Sequence, residues 1–277
     1  MIELKILCEN RKNGQFIGEY GLSILVNAFG EEFLFDTGYE NVFITNSKLM
    51  DIDVDEINKI VLTHGHSDHS TGLKYLSNGK TIIMHPSAYK QRWSISRKDF
   101  AGFPLTEKQL KKKHNVIETD SAFQFYKNCL FLGEIPMIVD FEKDGNFATS
   151  IDSELTQIDQ TEDDSGVVIT TKQGLFIMTG CGHRGICNVI EQAKKVTGIN
   201  KVYGLLGGFH LIDLYKQQEK VDSTIEYLKQ LNIQELYLGH CITDQVIDYF
   251  KEKLKNVKIK NLAAGKEFKL NLQPLEN

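Results

Sequence analysis

Residues 61–72, VLTHGHSDHSTG, concentrate four side chains that bind metals behind a short run of β-branched and aliphatic residues. The four are His64, His66, Asp68 and His69. Crowded together without a partner, they would repel one another when charged and would lose hydration when buried. A cation removes both costs, because imidazole nitrogens and carboxylate oxygens are ligands of zinc, iron and manganese. The residue types therefore predict a metal site.

The spacing within this loop favours two metal ions over one. His64 and His66 are two residues apart, so one turn of the chain aims both rings at one ion. Asp68 and His69 then point elsewhere, toward a second ion close by. A metal pair lowers the pKa of a shared water, so that hydroxide exists near neutral pH, and it polarises the bond under attack. The loop thus predicts hydrolytic chemistry.

The whole chain has the composition of a globular protein, with 41% hydrophobic and 25% charged residues among 277. No stretch is apolar for long enough to cross a bilayer, and MIELKILCENRK lacks the features of a secretory signal. We therefore expect a cytoplasmic protein without a membrane partner. The net charge of −5 provides no global field for nucleic acid, so no nucleic-acid partner is expected. Five cysteines at irregular spacing predict free thiols or metal-site neighbours.

Strand and helix patterns alternate along the chain. LSILVNA and EEFLFDTG flank Phe29-Gly30 and predict a hairpin, and VVITTKQGLFIMTG predicts a second one turned at Gln173-Gly174. INKIVLTH and KTIIMHP are typical of buried strands. GICNVIEQAKKVTG and KVDSTIEYLKQLN have the apolar periodicity of helices. The pattern predicts an α/β protein, with residues 1–277 forming a single domain.

Residues 88–133 differ from the rest in being rich in cations and aromatic rings. We interpret them as an insertion that covers the active site and binds an anionic, ring-bearing substrate. Arg92 and Trp93 are its candidate substrate-binding residues, with packing as the alternative. His85, at the end of a predicted strand, either lines the pocket or packs. For the lysines at 111–113 a solvated helix is favoured.

The histidine loop resembles the signature of the metallo-β-lactamase superfamily, His-x-His-x-Asp-His after a strand, which stands here as HGHSDHSTG. FLFDTG at 33–38 is similar to that superfamily's early strand ending in an aspartate, and LYLGHC to its late strand ending in a metal histidine, here His240. The resemblance spans about residues 3–270 and implies a four-layer αββα sandwich with the metals at one edge. It also implies that Asp36 orders the histidine loop without binding metal.

A narrower resemblance is to the dihydropterin-ribofuranosylaminobenzene-phosphate-synthase-like proteins of that superfamily. EYGLSILV, GEIPM, TGCGHRGICN, GGFHL and GHCITD carry it, although the usual HCTG of the group is HCITD here. It favours a role for His210 at the site. There His210 would hydrogen-bond a substrate oxyanion or protonate the leaving group, with a structural turn histidine as the alternative.

Two departures from the wider superfamily bear on the metal ligands. The usual Gly-His-Thr turn is TEDDSGVV here and has no histidine. The usual Thr-Gly-Asp is the TGC of LFIMTGCGH, so Cys181 takes the place of the aspartate and His183 lies two residues on. We expect His64, His66 and His183 to hold one ion and Asp68, His69 and His240 the other. Cys181, Asp163 or Asp164 would complete the set.

Together these features predict a metal-dependent hydrolase with two divalent ions, zinc before iron or manganese. The expected substrate is a small anion, and a phosphoester or phosphodiester is preferred to a lactone, thioester or β-lactam. Asp68 would hold the hydroxide and accept its proton. A synthase-type condensation is the enzymatic alternative, and a metal-containing sensor without turnover is the alternative of another class. A flavodiiron reductase is not expected without a flavodoxin domain, nor a tRNA-processing nuclease without a basic exosite.

Overall fold

Two seven-stranded β-sheets form the centre of the protein. The computed structural model describes residues 1–145 and 147–276. The strands are β1 (Ile2–Cys8), β2 (Ser23–Ala28), β3 (Glu31–Phe35), β4 (Lys59–Val61), β5 (Thr81–Met84), β6 (Trp93–Ser94), β7 (Asn115–Glu118), β8 (Phe123–Tyr126), β9 (Cys129–Phe131), β10 (Thr149–Ser150), β11 (Gly166–Thr171), β12 (Gly174–Thr179), β13 (Val202–Gly207), β14 (Glu235–Leu238), β15 (Lys258–Asn261) and β16 (Glu267–Leu270). The first sheet has the order β16-β1-β2-β3-β4-β5-β7, and the second has the order β15-β14-β13-β12-β11-β9-β8.

Six α-helices and four 3₁₀ helices connect these strands in the described residues. The α-helices are α1 (Val42–Leu49), α2 (Ser67–Ser70), α3 (Glu107–Lys113), α4 (Ile186–Thr197), α5 (Gln218–Gln230) and α6 (Asp244–Lys253). The 3₁₀ helices are Val54–Glu56, Thr71–Tyr75, Pro86–Tyr89 and Asp140–Glu142. Among the residues that the structure describes, no helix combines the length and the apolar character that crossing a membrane requires.

Three apolar clusters show that the layers stack as helix, sheet, sheet and helix. The inner faces of the two sheets share one cluster, in which Phe33 and Phe35 of the first sheet join Phe176 of the second. A second cluster packs the second sheet against α4, α5 and α6. A third packs the outer face of the first sheet against α1 and α3. The predicted αββα sandwich is confirmed.

The two predicted hairpins are present, one of them with its turn one residue earlier than expected. Ala28 pairs with Glu31, and the turn residues Phe29 and Gly30 have φ of 61° and 96°, as a type I′ turn requires. In the second hairpin Thr171 pairs with Gly174, so its turn residues are 172 and 173.

The interpretation of residues 88–133 as one covering insertion is wrong for most of that segment. β7 is the edge strand of the first sheet, and β8 and β9 form the edge of the second. Only the short ribbon of β6 paired with β10, with the loop that follows β6, lies beside the predicted metal ligands. The lysines at 111–113 are on α3, where Lys111 pairs with Glu107 and Glu118 at the surface.

The carboxyl ends of several parallel strands meet at one edge of the sandwich. β3, β4, β5 and β7 run parallel in the first sheet, and β12, β13, β14 and β15 run parallel in the second. Loops that leave such ends are the usual position of ligand sites in α/β proteins. The histidine loop follows β4, and other candidate residues follow β12, β13 and β14.

Candidate metal centre

The predicted ligands form two buried clusters at this edge of the sandwich. One cluster is His64, His66 and His183, and the other is Asp68, His69, Cys181 and His240. Within each cluster the ligand atoms lie within 4.8 Å of one another. Asp68 and His69 are on α2, whereas His183 comes from the loop after β12 and His240 from the loop after β14. Both sheets therefore contribute ligands to both clusters.

In the first cluster, the ring nitrogens of His64 and His66 that point away from the cluster (the outer nitrogens) form hydrogen bonds with threonine hydroxyl groups. Thr63 Oγ1 donates to Asp36 Oδ2 at 2.8 Å, so it accepts from His64 Nδ1 at 3.0 Å. Thr149 Oγ1 donates to Asp159 Oδ2 at 3.3 Å, so it accepts from His66 Nε2 at 3.0 Å. The hydrogen-bond network thus assigns the protons to the outer nitrogens.

The inner nitrogens of that cluster consequently face each other as lone pairs. His64 Nε2 lies 3.0 Å from His66 Nδ1. Burial lowers the pKa of both histidines well below the ordinary value, and neighbouring histidines lower it further, so both rings are neutral. Neutral imidazole is the form that binds metal. Two facing lone pairs in a dry site fit a bound cation.

In the second cluster the Nδ1 atoms also face oxygen atoms. Although burial lowers the pKa of His240, its interactions with Cys241 and Asp68 raise that pKa well above the ordinary value. His69 Nδ1 donates to Asp36 Oδ2 at 2.7 Å, and His240 Nδ1 lies 3.1 Å from Asn10 Oδ1. Their Nε2 atoms face each other at 2.9 Å, with Cys181 Sγ 3.1 Å from that of His69. Two nitrogens, a thiol sulfur and the Asp68 carboxylate are a set of donors that suits a divalent transition metal.

Asp68 keeps its charge in this cluster. Although burial raises its pKa, the neighbouring His69 and His240 lower that pKa well below the ordinary value. Asp68 Oδ2 lies 3.2 Å from His240 Nε2 and 3.6 Å from His69 Nε2. The side chain is 12% exposed and reaches the cavity described below. An ionised carboxylate therefore lies between the metal ligands and the space open to a substrate.

Asp36 lies behind the ligands and organises them. Its carboxylate accepts the Thr63 amide at 2.8 Å in addition to the hydroxyl of Thr63 and the ring of His69. It is fully buried and belongs to neither cluster. Asp36, His210 and His240 have φ of 58°, 49° and 58°, a conformation that is rare outside glycine and concentrates at functional sites.

Arg92, which the sequence predicts to bind substrate, lies behind the histidine loop instead of in the cavity. It is 0% exposed, and its Nε donates to Asp159 Oδ2 at 2.6 Å and its other guanidinium edge to Asp163 Oδ1 at 2.5 Å. Asp163 Oδ2 in turn accepts the Gly65 amide at 2.7 Å, inside the histidine loop. These buried ion pairs neutralise the charge of the Arg92 guanidinium. Arg92 therefore supports the loop from behind and does not face the cavity.

Other residues predicted to bind substrate or metal also lie away from the cavity. Trp93 is half-buried and packs edge-on against Phe100, with 5.8 Å between ring centroids. His85 is buried, and its Nδ1 accepts the Ser87 amide at 3.1 Å. Asp164 Oδ2 accepts the Arg184 amide at 2.9 Å, and burial raises the Asp164 pKa to about 6. Neither Asp163 nor Asp164 belongs to a ligand cluster.

A cavity of about 180 Å³ opens beside both clusters. His210 lines it, with its ring centroid 4.4 Å from that of His183, and burial lowers the His210 pKa to about 4. Tyr20, Arg97 and Cys241 also line it and had not been singled out as site residues. Tyr20 lies within the quoted stretch EYGLSILV and Arg97 within the cationic segment, so weak signals for these two existed. Cys241 Sγ lies 3.1 Å from Cys181 Sγ.

The model of the metallo-β-lactamase superfamily matches residues 17–240. The chain belongs to the metallo-β-lactamase superfamily. It is 32% identical over 275 residues to the 7,8-dihydropterin-6-methyl-4-(β-D-ribofuranosyl)-aminobenzene-5'-phosphate synthase of Methanocaldococcus jannaschii, covering 93% of this chain and 92% of that protein. The predicted resemblance to this subgroup is confirmed.

Solved structures agree with this placement in the superfamily. Tm1679, a metal-dependent hydrolase of the β-lactamase superfamily, superposes with a TM-score of 0.83 and 26% identity over 98% of this chain and 99% of that one. Zinc-bound PqqB from Methylobacterium extorquens superposes with a TM-score of 0.56 and 14% identity, over 97% of this chain and 100% of that one. The second comparison shows the shared fold alone.

Proposed function

We propose that this protein is a metal-dependent hydrolase of small phosphate esters. The observation that carries the proposal is the pair of adjacent ligand clusters that open on one small cavity. His64, His66 and His183 would hold one ion, and Asp68, His69, Cys181 and His240 the other. The sulfur of Cys181 favours zinc over iron or manganese, because thiolate is a soft ligand. Bound there, the ions would activate water and polarise the scissile bond.

The side chains of the cavity supply the remaining functions. Asp68, ionised and partly open to the cavity, holds the attacking water by a hydrogen bond and takes up its proton at a carboxylate oxygen. His210 is neutral near pH 7, so its ring N–H donates a hydrogen bond to a substrate oxygen that gains negative charge. This hydrogen bond is the role we assign to His210. A neutral imidazole with so low a pKa does not carry the proton that a general acid needs.

Arg97 supports a phosphate as the reacting group. Its guanidinium lines the cavity and is about half exposed; Asp99 binds its Nε, so the two terminal amino groups are the part that can bind a ligand. A guanidinium binds two phosphate oxygens at once, a geometry that a lactone or thioester does not offer. A phosphoester is therefore preferred to the other hydrolysable classes.

A synthase-type condensation is the second candidate, and the 32% identity to the methanococcal synthase supports it. Such an enzyme would join two substrates, so it would show no turnover with a phosphoester alone. A sensor of the same fold would bind an anion without converting it.

The first test combines metal content with substrate turnover. Elemental mass spectrometry of purified wild-type protein should give close to two ions per chain, and His66→Ala should lose at least one. His114→Gln changes a buried histidine outside both clusters and should keep both ions. The metal-loaded wild type should then hydrolyse phosphomonoesters or phosphodiesters faster than lactones and thioesters. Turnover of a lactone or thioester but no phosphoester would refute the proposed substrate class.

A further inference from the structure

A second cavity of about 450 Å³ lies next to the one at the metal ligands. Tyr20, Asp68, Ser96 and Arg97 line both. Because four residues line both spaces, the two cavities adjoin, and Arg97 is one of the residues at their boundary.

The volumes of the two cavities indicate which part of a substrate each one can hold. Sites for whole small-molecule ligands usually measure about 300–1,000 Å³. The metal cavity, at about 180 Å³, accommodates only the reacting group. The second cavity, at about 450 Å³, has room for the rest of the substrate.

We propose that the second cavity binds a planar, uncharged ring on the leaving group of the substrate. This proposal rests on the proposed hydrolase function and narrows its substrate class to aryl or heteroaryl phosphate esters. The ring would lie against Tyr20 and Tyr39 while the phosphate occupies the metal cavity.

The two tyrosines provide the surface for such a ring. Tyr20 is 55% exposed and Tyr39 is 42% exposed, and both line the second cavity. Large aromatic faces left open to solvent gain free energy when another ring covers them by stacking. The Arg97 guanidinium carbon lies 5.9 Å from the centroid of the Tyr20 ring, so a cation also borders this aromatic surface.

The carboxylates that line the second cavity disfavour a second phosphate there. Glu19 and Asp99 line the second cavity together with Asp68, against the single cation Arg97. Both carboxylate oxygens of Asp99 lie 3.1 Å from Arg97 Nε, and Glu19 accepts the amides of Tyr39 and Glu40 at 3.1 Å. Because Glu19 and Asp99 line only the second cavity, its lining has a net negative charge and disfavours a further anion there. A neutral ring meets no such repulsion, and the two tyrosine faces favour it.

The test compares phenyl phosphate with ethyl phosphate by kcat/KM. The ratio of the two values in each variant is divided by the wild-type ratio, which removes the difference in leaving-group reactivity. Tyr20→Leu and Tyr39→Leu should each lower this aryl preference by about tenfold, as expected for a lost ring contact. Tyr20→Phe keeps the ring and should keep the preference. Tyr75→Leu, at an exposed tyrosine elsewhere on the surface, is the matched control.

Calorimetry separates this proposal from the proposed function. Phenylphosphonate and methylphosphonate are not hydrolysed, and their binding is measured on metal-loaded protein whose metal content has been checked. Wild type should bind phenylphosphonate more tightly, and Tyr20→Leu and Tyr39→Leu should reduce the difference.

Each outcome is decisive for one of the two proposals. If neither ester is hydrolysed but the phenyl preference in binding depends on the tyrosines, the hydrolase proposal fails and the ring subsite stands. If the esters are hydrolysed with an aryl preference that both leucine variants retain, the hydrolase stands and the ring subsite is refuted. Equal binding, or no binding, of the two phosphonates also overturns the ring subsite.

Discussion

At the residue scale, the candidate metal centre is defined by where each imidazole places its proton. In both clusters an oxygen atom binds the outer ring nitrogen, so the inner nitrogens of the paired rings face each other. The oxygen atoms belong to Thr63 and Thr149 in one cluster, and to Asp36 and Asn10 in the other. Such outer partners fix the tautomer and the ring orientation of metal-binding histidines.

We predict that His183 supplies the imidazole that most superfamily members carry before the hairpin. Its ring centroid lies 5.0 Å from that of His64 and 4.7 Å from that of His66. We expect His183→Ala to lose about one metal ion per chain, because the first cluster would retain only two ligands while the second stays complete. Elemental mass spectrometry measures the loss, with His114→Gln again as control. Full occupancy in His183→Ala would contradict the assignment.

At the element scale, the short ribbon of β6 and β10 is the support of the histidine loop. It carries Thr149, which hydrogen-bonds His66, and it brings Arg92 beside Asp159 and Asp163. A buried guanidinium between two carboxylates is tolerated because each charge is paired and hydrogen-bonded. The ribbon thus connects an ion-pair network to one metal ligand.

Thr149 gives a sharp test of this connection. Thr149→Val keeps the shape of the side chain but removes the acceptor for His66 Nε2, so metal affinity should fall by roughly 10- to 100-fold. Thr149→Ser keeps the hydroxyl and should retain most of the affinity. Competition with a chromophoric chelator measures the dissociation constant. Equal affinities for the valine and serine variants would show that the hydrogen bond does not orient His66.

At the scale of the whole molecule, the candidate metal centre lies where loops from the two sheets come into close contact at one edge. Gly180 follows β12 of the second sheet, and Thr63 and Asp36 follow strands of the first. A Cβ atom at Gly180 would lie 2.2 Å from Thr63 Oγ1 and 3.1 Å from Asp36 Oδ2. No methyl group fits there without moving these groups, and both of them hold ligand histidines.

Gly180→Ala should therefore affect stability and metal binding together. We expect the free energy of unfolding to fall by about 1–3 kcal/mol, as for other overpacked sites, with a loss of metal. Urea denaturation and elemental analysis measure the two effects. Gly198→Ala is the control: at φ +70° its backbone is strained by a side chain, but no atom lies within 4 Å of the new Cβ, so metal content should not change. If Gly180→Ala kept a normal metal content, close packing of the two sheets at Gly180 would not be required for metal binding.

The parts of the fold and site that were predictable are those encoded by nearby residues. The Phe29-Gly30 turn follows from two strand patterns that flank a two-residue segment ending in glycine, and the helices that cover the sheets follow from apolar periodicity. The histidine loop could be recognised because four ligand types lie within six positions. In contrast, β7, β8 and β9 were assigned to an insertion, since their edge positions depend on partners far away in the chain.

The sequence by itself determined the superfamily, the layered α/β architecture and the set of potential metal-binding side chains in the loop at 64–69. Only the tertiary structure decided what each charged or aromatic side chain does. Arg92 is neutralised by carboxylates 67 and 71 positions away, whereas Arg97, five residues on, borders the cavity beside Tyr20. The reason is physical: the role of a charge depends on its burial and its partners, and contacts between distant segments set both.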